Sequence, residues 1–265
     1  MKWWIRFSVV IGCFIGCFVN MPEIKVASGD VVEKSVRYVA LGDSIAYGYG
    51  LSDRDEDSYV GLVRQYLETN YDYVFCANLG TNGLRSDELL DILTNKRNIM
   101  YKKYRATLEH ADIVSLSIGS NDLLHLVELG TDMQKYVEHG DAIFCKACDG
   151  FDKNFPQIIR EIHQIAPGAT IYAGNIYNPC QGLRQYKDLY SLTERYISMI
   201  NETFKRHPGF VLVDIKSAFD ESQEDLVNMA FKGKEVDPHP SKRGHETISN
   251  LMIQAIEKEE KEETQ

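Results

Sequence analysis

Five short apolar runs recur along this chain, and stretches with helical spacing of apolar residues lie between them. The runs predict strands at residues 36–41, 71–79, 111–118, 169–176 and 210–215. The periodic stretches predict helices at residues 60–67, 86–93, 101–110, 155–165, 183–207 and 241–258. Strands that alternate with helices form one doubly wound parallel sheet with right-handed crossovers, so we expect an α/β fold.

The rest of the pattern predicts a single domain followed by a polar segment at the C-terminus. Residues 123–152 give a mixed pattern, helical at first and then loop-like around Cys145 and Cys148. Residues 257–265 are all charged or polar and predict a frayed, charged tail. Residues 29–256 contain neither an internal repeat nor a low-complexity linker, so they are expected to form a single domain.

The balance of charge excludes two classes of partner. The chain of 265 residues has a formal net charge of −10, with 44% hydrophobic residues. That apolar content is enough for one sizeable core. Because phosphate groups repel an acidic protein, neither nucleic acid nor an anionic membrane is expected as a partner.

The first 28 residues are typical of a secretory signal. Lys2 and Arg6 precede an uncharged run over residues 7–19, and a polar stretch then ends at Ala27 and Ser28. A basic start, a short apolar run and a small residue at the end are the three parts of a cleaved signal peptide. The alternative is an uncleaved N-terminal anchor over residues 3–21. We expect a secreted or cell-surface protein, without stable membrane insertion once the signal is removed.

Four cysteines follow the signal segment: Cys76, Cys145, Cys148 and Cys180. An even number in an exported chain permits two disulfides with three pairings. A local Cys145–Cys148 disulfide or free thiols are favoured. The Cys-x-x-Cys pair lacks the second pair or the histidines of a zinc site, so no metal is expected.

Glycines and small polar residues follow four of the predicted strands. These segments are residues 42–44, 80–83 and 119–122, and Asn178 after the fourth strand. The carboxyl ends of parallel strands meet at one edge of a sheet, where ligands bind. A fifth segment, Asp237 to Ser241, follows the last strand and holds His239 between two prolines. We therefore expect these segments to converge, with Asn178 as a substrate-binding wall of the pocket.

The residue types in these segments predict nucleophilic catalysis. A serine hydroxyl is a weak nucleophile and needs a base within hydrogen-bond reach. Ser44 is the candidate nucleophile and His239 its base, with Asp237 to orient the imidazole. An oxyanion needs donors that are fixed in advance, and the Ser44 N–H, the Gly83 N–H and the Asn121 amide are the candidates.

Four sequence blocks together resemble the GDSL or SGNH hydrolases. They are Gly42-Asp43-Ser44-Ile45, residues 78–83, Gly119-Ser120-Asn121-Asp122, and His239-Pro240 followed by Gly244-His245. The resemblance covers about residues 36–256, and the bacterial lysophospholipase-like branch looks closest. It implies a flavodoxin-like, three-layer α/β/α fold and ester hydrolysis by a serine nucleophile. It also implies Gly83 as the oxyanion glycine, and no cofactor or metal.

The last block departs from the family pattern. The usual spacing is Asp-x-x-His, but Val236 stands three residues before His239. Asp237 stands two residues before it and Glu235 four before. Asp237 is our choice for the third member of the triad, because a turn flanked by prolines can bring it to the ring. The alternatives are Glu235 or a main-chain carbonyl.

Other conspicuous residues have structural interpretations. Asp43 and Asp122 are expected to hydrogen-bond loop backbone rather than transfer protons. Tyr47 and Tyr49 either line the site or pack. Ser86 is expected to cap a helix. Surface or capping roles are expected for the other histidines: His110, His125, His139, His163, His207 and His245.

These patterns together predict an exported serine esterase or lipase-like hydrolase. Its substrate would be a small-molecule, lipid or glycan ester. A carbohydrate O-deacetylase or an acyltransferase is the alternative on the same fold, since fold alone cannot separate these activities. A non-catalytic lipid- or carbohydrate-binding module is the alternative in another class.

Overall fold

The computed structural model describes residues 33–127, 133–180, 187–228 and 237–263. The expected signal segment, residues 1–28, and Glu235 lie outside these ranges. No helix in the described ranges combines the length and the apolar character that a membrane-spanning segment needs.

One sheet of five parallel strands forms the centre of the described chain. The strands are β1 (Ser35–Gly42), β2 (Tyr73–Asn78), β3 (Ile113–Ser117), β4 (Thr170–Gly174) and β5 (Val211–Val213). Their order across the sheet is β2-β1-β3-β4-β5. This is the flavodoxin-like order, so the predicted α/β fold is confirmed. The order reverses beside β1, and a ligand site is expected at such a point.

Ten helices connect and flank the described strands. They are α1 (Ser44–Tyr47), α2 (Arg54–Asp57), α3 (Tyr59–Asn70), α4 (Ser86–Thr94), α5 (Tyr101–Leu108), α6 (Ser120–Leu124), α7 (Met133–Ile165), α8 (Lys187–Arg206), α9 (Ile215–Glu221) and α10 (Lys242–Glu263). The short helix α9 follows β5 and has no counterpart in the sequence prediction.

Two hydrophobic cores, one on each face of the sheet, produce the three layers. Successive side chains of a strand point to opposite faces. Accordingly Val39 and Leu41 lie in one core, and Tyr38 and Ala40 lie in the other. The helices contribute Leu89, Phe155 and Ile200 to the first core, and Val63, Phe219 and Ile248 to the second. Helices that cover both faces leave the carboxyl edge of the sheet for the loops.

Helix α7 is much longer than the sequence predicts. It runs from Met133 to Ile165, and Cys145 and Cys148 lie within it rather than in a loop. Phe144, Cys148, Phe151 and Phe155 are buried at spacings of three and four residues, so they form one apolar helical face. Polar and small residues between them hide this periodicity in the sequence.

The closing helix α10 also extends further than expected, into the charged segment that was predicted to fray. It ends at Glu263. Tyr66 in helix α3 donates to Glu257 at 3.2 Å, and Tyr71 just after that helix donates to Glu260 at 2.6 Å, so both tyrosines hold this charged segment. Pairs of lysine and glutamate four residues apart also support the helix.

All four described cysteines are free thiols, which excludes the disulfide alternatives in this structure. Burial raises the pKa of Cys76 to about 11 and that of Cys148 to about 12. A thiol with a raised pKa stays protonated at neutral pH and is a poor nucleophile. Cys76 and Cys148 therefore behave as small apolar side chains, Cys148 within one core and Cys76 packed against the other.

Candidate active site

Ser44 lies where β1 ends and α1 begins. Gly42, the last residue of β1, has φ +138°, and a Cβ there would lie 2.0 Å from the Ser117 carbonyl oxygen. The Asp43 N–H donates to the same carbonyl at 2.9 Å. This close approach of β1 to β3 requires glycine at position 42. It leaves Ser44 as the first residue after the tight junction.

The structure brings Ser44, His239 and Asp237 into one hydrogen-bonded chain. Ser44 Oγ lies 2.8 Å from His239 Nε2, and His239 Nδ1 lies 2.6 Å from Asp237 Oδ1. A carboxylate oxygen only accepts, so Nδ1 carries the proton and the lone pair of Nε2 faces the serine hydroxyl. This tautomer is the one that a general base for Ser44 needs.

The two-residue spacing between Asp237 and His239 is accommodated by a tight turn. Asp237 Oδ1 also accepts from the backbone N–H of His239 at 3.0 Å. The carboxylate therefore folds back on its own turn and meets both the backbone and the ring. Glu235, the alternative partner, lies outside the described residues.

Two tyrosines contact the histidine turn. The Tyr49 ring lies 4.5 Å from the His239 ring, centroid to centroid, and is half exposed. The buried Tyr177 donates from its hydroxyl to the Pro238 carbonyl at 2.8 Å. Tyr49 was a candidate for lining the site, whereas sequence reasoning missed Tyr177, whose one local signal is its place just after β4.

Besides the Ser44 N–H, the candidate oxyanion donors come from the loop before α4, which holds Gly83, and from helix α6, which holds Asn121. Gly83 has φ +76°, which favours glycine, and a Cβ there would meet nothing within 4 Å. Asn121 Nδ2 donates to the Leu84 carbonyl at 3.2 Å. An amide nitrogen carries two hydrogens, so the second remains for a ligand. The bond to Leu84 links the Asn121 side chain to the Gly83 loop.

An open hollow of about 500 Å³ borders Gly83. Its lining residues come from the Gly83 loop, from α4 and from the loop before α5: Thr81, Asn82, Gly83, Leu84, Asp87, Glu88, Asp91, Ile92, Asn98 and Met100. Hydrogen bonds from Asn98 and Asn95 lower the pKa of the Asp91 carboxyl. The lining mixes carboxylate acceptors on α4, from Asp87, Glu88 and Asp91, with the apolar side chains of Leu84, Ile92 and Met100.

Asp122 ties this loop region together, as its predicted structural role requires. It accepts from the Ser86 hydroxyl at 2.5 Å and from the Ser86 N–H at 3.1 Å. The hydroxyl of Ser86 is thereby engaged by Asp122 rather than by the end of its own helix, and Arg85 occupies the N-cap position of α4. The prediction of Ser86 as a cap was therefore wrong.

Asn178 does not line a pocket, contrary to expectation. Its side chain is fully buried. The Nδ2 atom donates to Glu194 at 3.1 Å and to the Tyr190 carbonyl at 3.3 Å. The Oδ1 atom accepts from the Cys180 N–H and the Thr193 hydroxyl. With both ends of its amide engaged, Asn178 anchors the loop after β4 to α8.

His245 is also not a surface residue. It is fully buried on the inner side of α10, and its Nδ1 accepts from the Tyr59 N–H at 3.2 Å. Burial and the neighbouring His239 lower the pKa of His245 to about 4. Since the unfolded imidazole titrates near 6.5, the stabilising effect of this group is lost as the pH falls from about 6.5 towards 4.

Asp43 is fully buried beside Ser44. Its Oδ1 accepts from the Ile45 N–H at 3.0 Å and from the Ser117 hydroxyl at 3.1 Å. Its Oδ2 is buried and has no partner among the described residues. Burial raises the pKa of this carboxyl to about 7. These bonds agree with the predicted structural role.

The Asp43→Asn variant is expected to change how stability depends on pH. The unfolded carboxyl ionises near pH 3.8, whereas the folded one keeps its proton to about pH 7. Folding therefore loses roughly 1.4 kcal/mol per pH unit as the pH rises across this window. Urea unfolding of the wild-type protein and of Asp43→Asn between about pH 4 and pH 7 measures the free energy of unfolding of each. The difference between the two isolates the slope due to Asp43, because the opposite slope due to His245 is common to both. Equal slopes would exclude a titrating Asp43.

No group of three metal-ligating side chains lies close enough to hold a metal ion within the ranges that the structure describes.

Most of the chain matches one protein-family model. The sequence model of the "GDSL-like Lipase/Acylhydrolase family" matches residues 40–247. A curated relative, the uncharacterized protein YpmR of Bacillus subtilis (strain 168), is 27% identical over 223 residues. That alignment covers 83% of this chain and 81% of YpmR.

Solved structures share the fold. The lipase Lip_vut3 from a goat rumen metagenome has a TM-score of 0.64 at 22% identity, and the match covers 83% of this chain and 97% of that one. Phospholipase A1 from Streptomyces albidoflavus NA297 has a TM-score of 0.58 at 16% identity, with 84% and 99% covered. The acetyl xylan esterase AlAXEase has a TM-score of 0.55 at 16% identity, with 83% and 100% covered.

Proposed function

Because the chain belongs to the GDSL-like lipase/acylhydrolase family and is a hydrolase of that kind, we propose that it is an exported serine esterase. It cleaves carboxylic esters through a covalent acyl-enzyme. The observation that carries this proposal is the continuous contact from Asp237 through His239 to Ser44, at 2.6 Å and 2.8 Å. A protein that only bound lipid or carbohydrate would not need these three groups in line.

In the first half of the reaction, Ser44 Oγ attacks the ester carbonyl carbon while His239 Nε2 takes the hydroxyl proton. The Asp237 carboxylate stabilises the imidazolium cation that forms on His239 and keeps the other ring proton on His239 Nδ1. The tetrahedral intermediate collapses, the bond to the alcohol oxygen breaks, and His239 returns the proton to the leaving alcohol. The acyl group now remains on Ser44.

In the second half, water replaces the alcohol. His239 removes a proton from the water, whose oxygen attacks the acyl carbon. Collapse of the second intermediate returns the proton to Ser44 Oγ and releases the carboxylic acid. The Ser44 N–H, the Gly83 N–H and the Asn121 amide hold the oxyanion in both halves.

The Asn121→Ala variant is expected to lower kcat by about 10²–10³-fold, because one oxyanion donor is lost. The Asn121→Asp variant keeps the shape but replaces the donor by an acceptor, so it should be at least as damaging. Steady-state kinetics with p-nitrophenyl acetate, with thermal melts of both variants, provide the measurement. Turnover at the wild-type rate by Asn121→Asp would show that Asn121 is not an oxyanion donor.

The hollow beside Gly83 offers hydrogen-bond acceptors to a hydroxylated group on one side of the ester. Asp87, Asp91 and Asn98 present oxygen and nitrogen atoms there. Carboxylate acceptors of this kind can bind the hydroxyl groups of a polyol or a sugar, while Leu84, Ile92 and Met100 supply apolar contacts. This observation supports carbohydrate O-deacetylation as the second candidate, and a structural neighbour is itself named an acetyl xylan esterase.

An ester panel separates these candidates. It runs from p-nitrophenyl acetate to p-nitrophenyl palmitate and includes a lysophospholipid and acetylated xylan. Falling kcat/KM with chain length, together with release of acetate from xylan, would support the deacetylase. Rising kcat/KM with chain length and cleavage of the lysophospholipid would support the lipase. A protein that cleaves none of them would contradict the esterase.

Export is proposed from the pattern of residues 1–28. A basic start followed by the uncharged run over residues 7–19 supports a secretory signal. Fractionation of cells that express the full chain, beside a variant without residues 7–19, tests this. Equal cytosolic retention of both forms would contradict export.

A further inference from the structure

Asn228 makes three hydrogen bonds to the turn that carries the candidate base. Its side-chain Nδ2 donates to Asp237 Oδ2 and to the Pro240 carbonyl, each at 3.3 Å. Its backbone N–H donates to the His239 carbonyl at 2.9 Å. The neighbouring Val227 forms an antiparallel bridge with Pro240. One residue thus contacts the turn on both sides of His239.

The orientation of the Asn228 amide follows from its partners. A carboxylate oxygen and a backbone carbonyl can only accept, so both contacts require the NH₂ end of the amide. Reversing the amide would place its oxygen against two oxygens that can only accept, Asp237 Oδ2 and the Pro240 carbonyl oxygen. The side chain is therefore fixed as a double donor.

The two oxygens of Asp237 have separate partners. Oδ1 accepts from the backbone N–H and from Nδ1 of His239, and Oδ2 accepts from Asn228. The Asp237 side chain is 38% exposed, so packing alone does not fix the rotation of its carboxylate. A Cβ at Gly50 would lie 3.8 Å from Oδ2. Asn228 thus supplies a hydrogen bond to the carboxylate oxygen that the two bonds from His239 leave unused.

We propose that Asn228 is a positioning residue that acts on His239 through Asp237. It touches neither Ser44 nor the reacting atoms. Its donation to Oδ2 holds Oδ1 against the imidazole and thereby keeps the ring oriented towards Ser44. This inference rests on the proposed function, because it assigns Asp237 and His239 the roles described there.

The Asn228→Ala variant is expected to lower kcat by about tenfold, the effect of one hydrogen bond to a charged group. KM should stay within about twofold of the wild-type value, because Asn228 does not bind substrate. Asn70→Ala is the matched control. Asn70 also donates twice, but to its own helix, away from the site. Its kcat should not change.

A double-mutant cycle separates positioning from a general structural role. In an Asp237→Ala background the oxygen that Asn228 orients is absent, so adding Asn228→Ala should change kcat by less than about twofold. A further tenfold loss in that background would overturn the proposal. So would unchanged kcat of the single Asn228→Ala variant.

A spectroscopic readout keeps this test independent of turnover. The Nδ1 proton of His239 gives a resonance that Asp237→Ala should abolish. We expect Asn228→Ala to shift or broaden that resonance, and Asn70→Ala to leave it in place. An unmoved resonance in Asn228→Ala would overturn the positioning role. Turnover that does not depend on Ser44 would instead refute the proposed function, while the resonance would still decide the role of Asn228.

Discussion

The Ser44→Ala variant is expected to lose roughly 10⁴–10⁶ in kcat for p-nitrophenyl esters. Ser44 Oγ is the hydroxyl that His239 Nε2 contacts, at 2.8 Å, so its removal leaves the base without a nucleophile. The residual rate would come from the oxyanion donors acting on water. Folding should be little affected, with a change in the free energy of unfolding within about 1 kcal/mol.

Kinetics, thermal melts and labelling with a fluorophosphonate test this expectation. The wild-type protein should gain one covalent adduct, found on the peptide with Ser44 by mass spectrometry, and Ser44→Ala should gain none. Ser198→Ala is a matched control, because its hydroxyl donates to Glu194 on helix α8. Turnover at the wild-type rate by a pure Ser44→Ala preparation would refute the serine mechanism.

The Asp237→Asn variant is expected to lower kcat by about 10⁴-fold, with the turn intact. An asparagine that turns its NH₂ towards Nδ1 would force the imidazole proton onto Nε2, where it faces the Ser44 hydroxyl. The base then has no lone pair for the proton that it must take. Circular dichroism checks that the variant is folded, and steady-state kinetics measure the loss.

Glu235→Gln is the comparison for this variant, because Glu235 is the other acid before His239. Its kcat should stay within about threefold of wild type, as for a residue outside the reacting groups. If Glu235→Gln loses most of its kcat while Asp237→Asn keeps the wild-type kcat, the third member of the triad is Glu235.

Much of the fold and of the site could be predicted from local patterns. Each parallel strand is a short apolar run, and glycine or a small polar residue follows four of the five, as at Gly42 and Gly119. Because such ends share one edge, Ser44 and Asn121 could be assigned to the same edge of the sheet before any geometry was known. The order of the strands followed from the resemblance rather than from the runs themselves.

The contacts that sequence reasoning missed are those without a local period. Asn228 and Tyr177 reach the histidine turn from separate segments, and no spacing rule connects them to His239. Asn178 lies at a strand end, as predicted, but its side chain points into the protein. The direction of a side chain depends on packing partners far along the chain.

Helix α7 shows a different limit. A period of 3.6 residues is present through Phe144, Cys148 and Phe151, but charged residues and Gly150 break the apolar run around it. Local propensity therefore favoured a loop around the two cysteines. In the structure this segment is helical because it packs against α4 and α8. His245 was misjudged for the related reason that a polar residue can lie on the buried face of α10.

The hydrogen bond between Ser44 and His239 joins residues 195 positions apart. Closing so long a loop costs conformational entropy that only the assembled sheet and the packed α10 can offset. A chain in which only the first strands have folded therefore holds a serine without a base. We therefore expect hydrolysis to begin only when the last long-range contacts form, so that recovery of activity during refolding reports completion of the tertiary structure, which recovery of helical content does not.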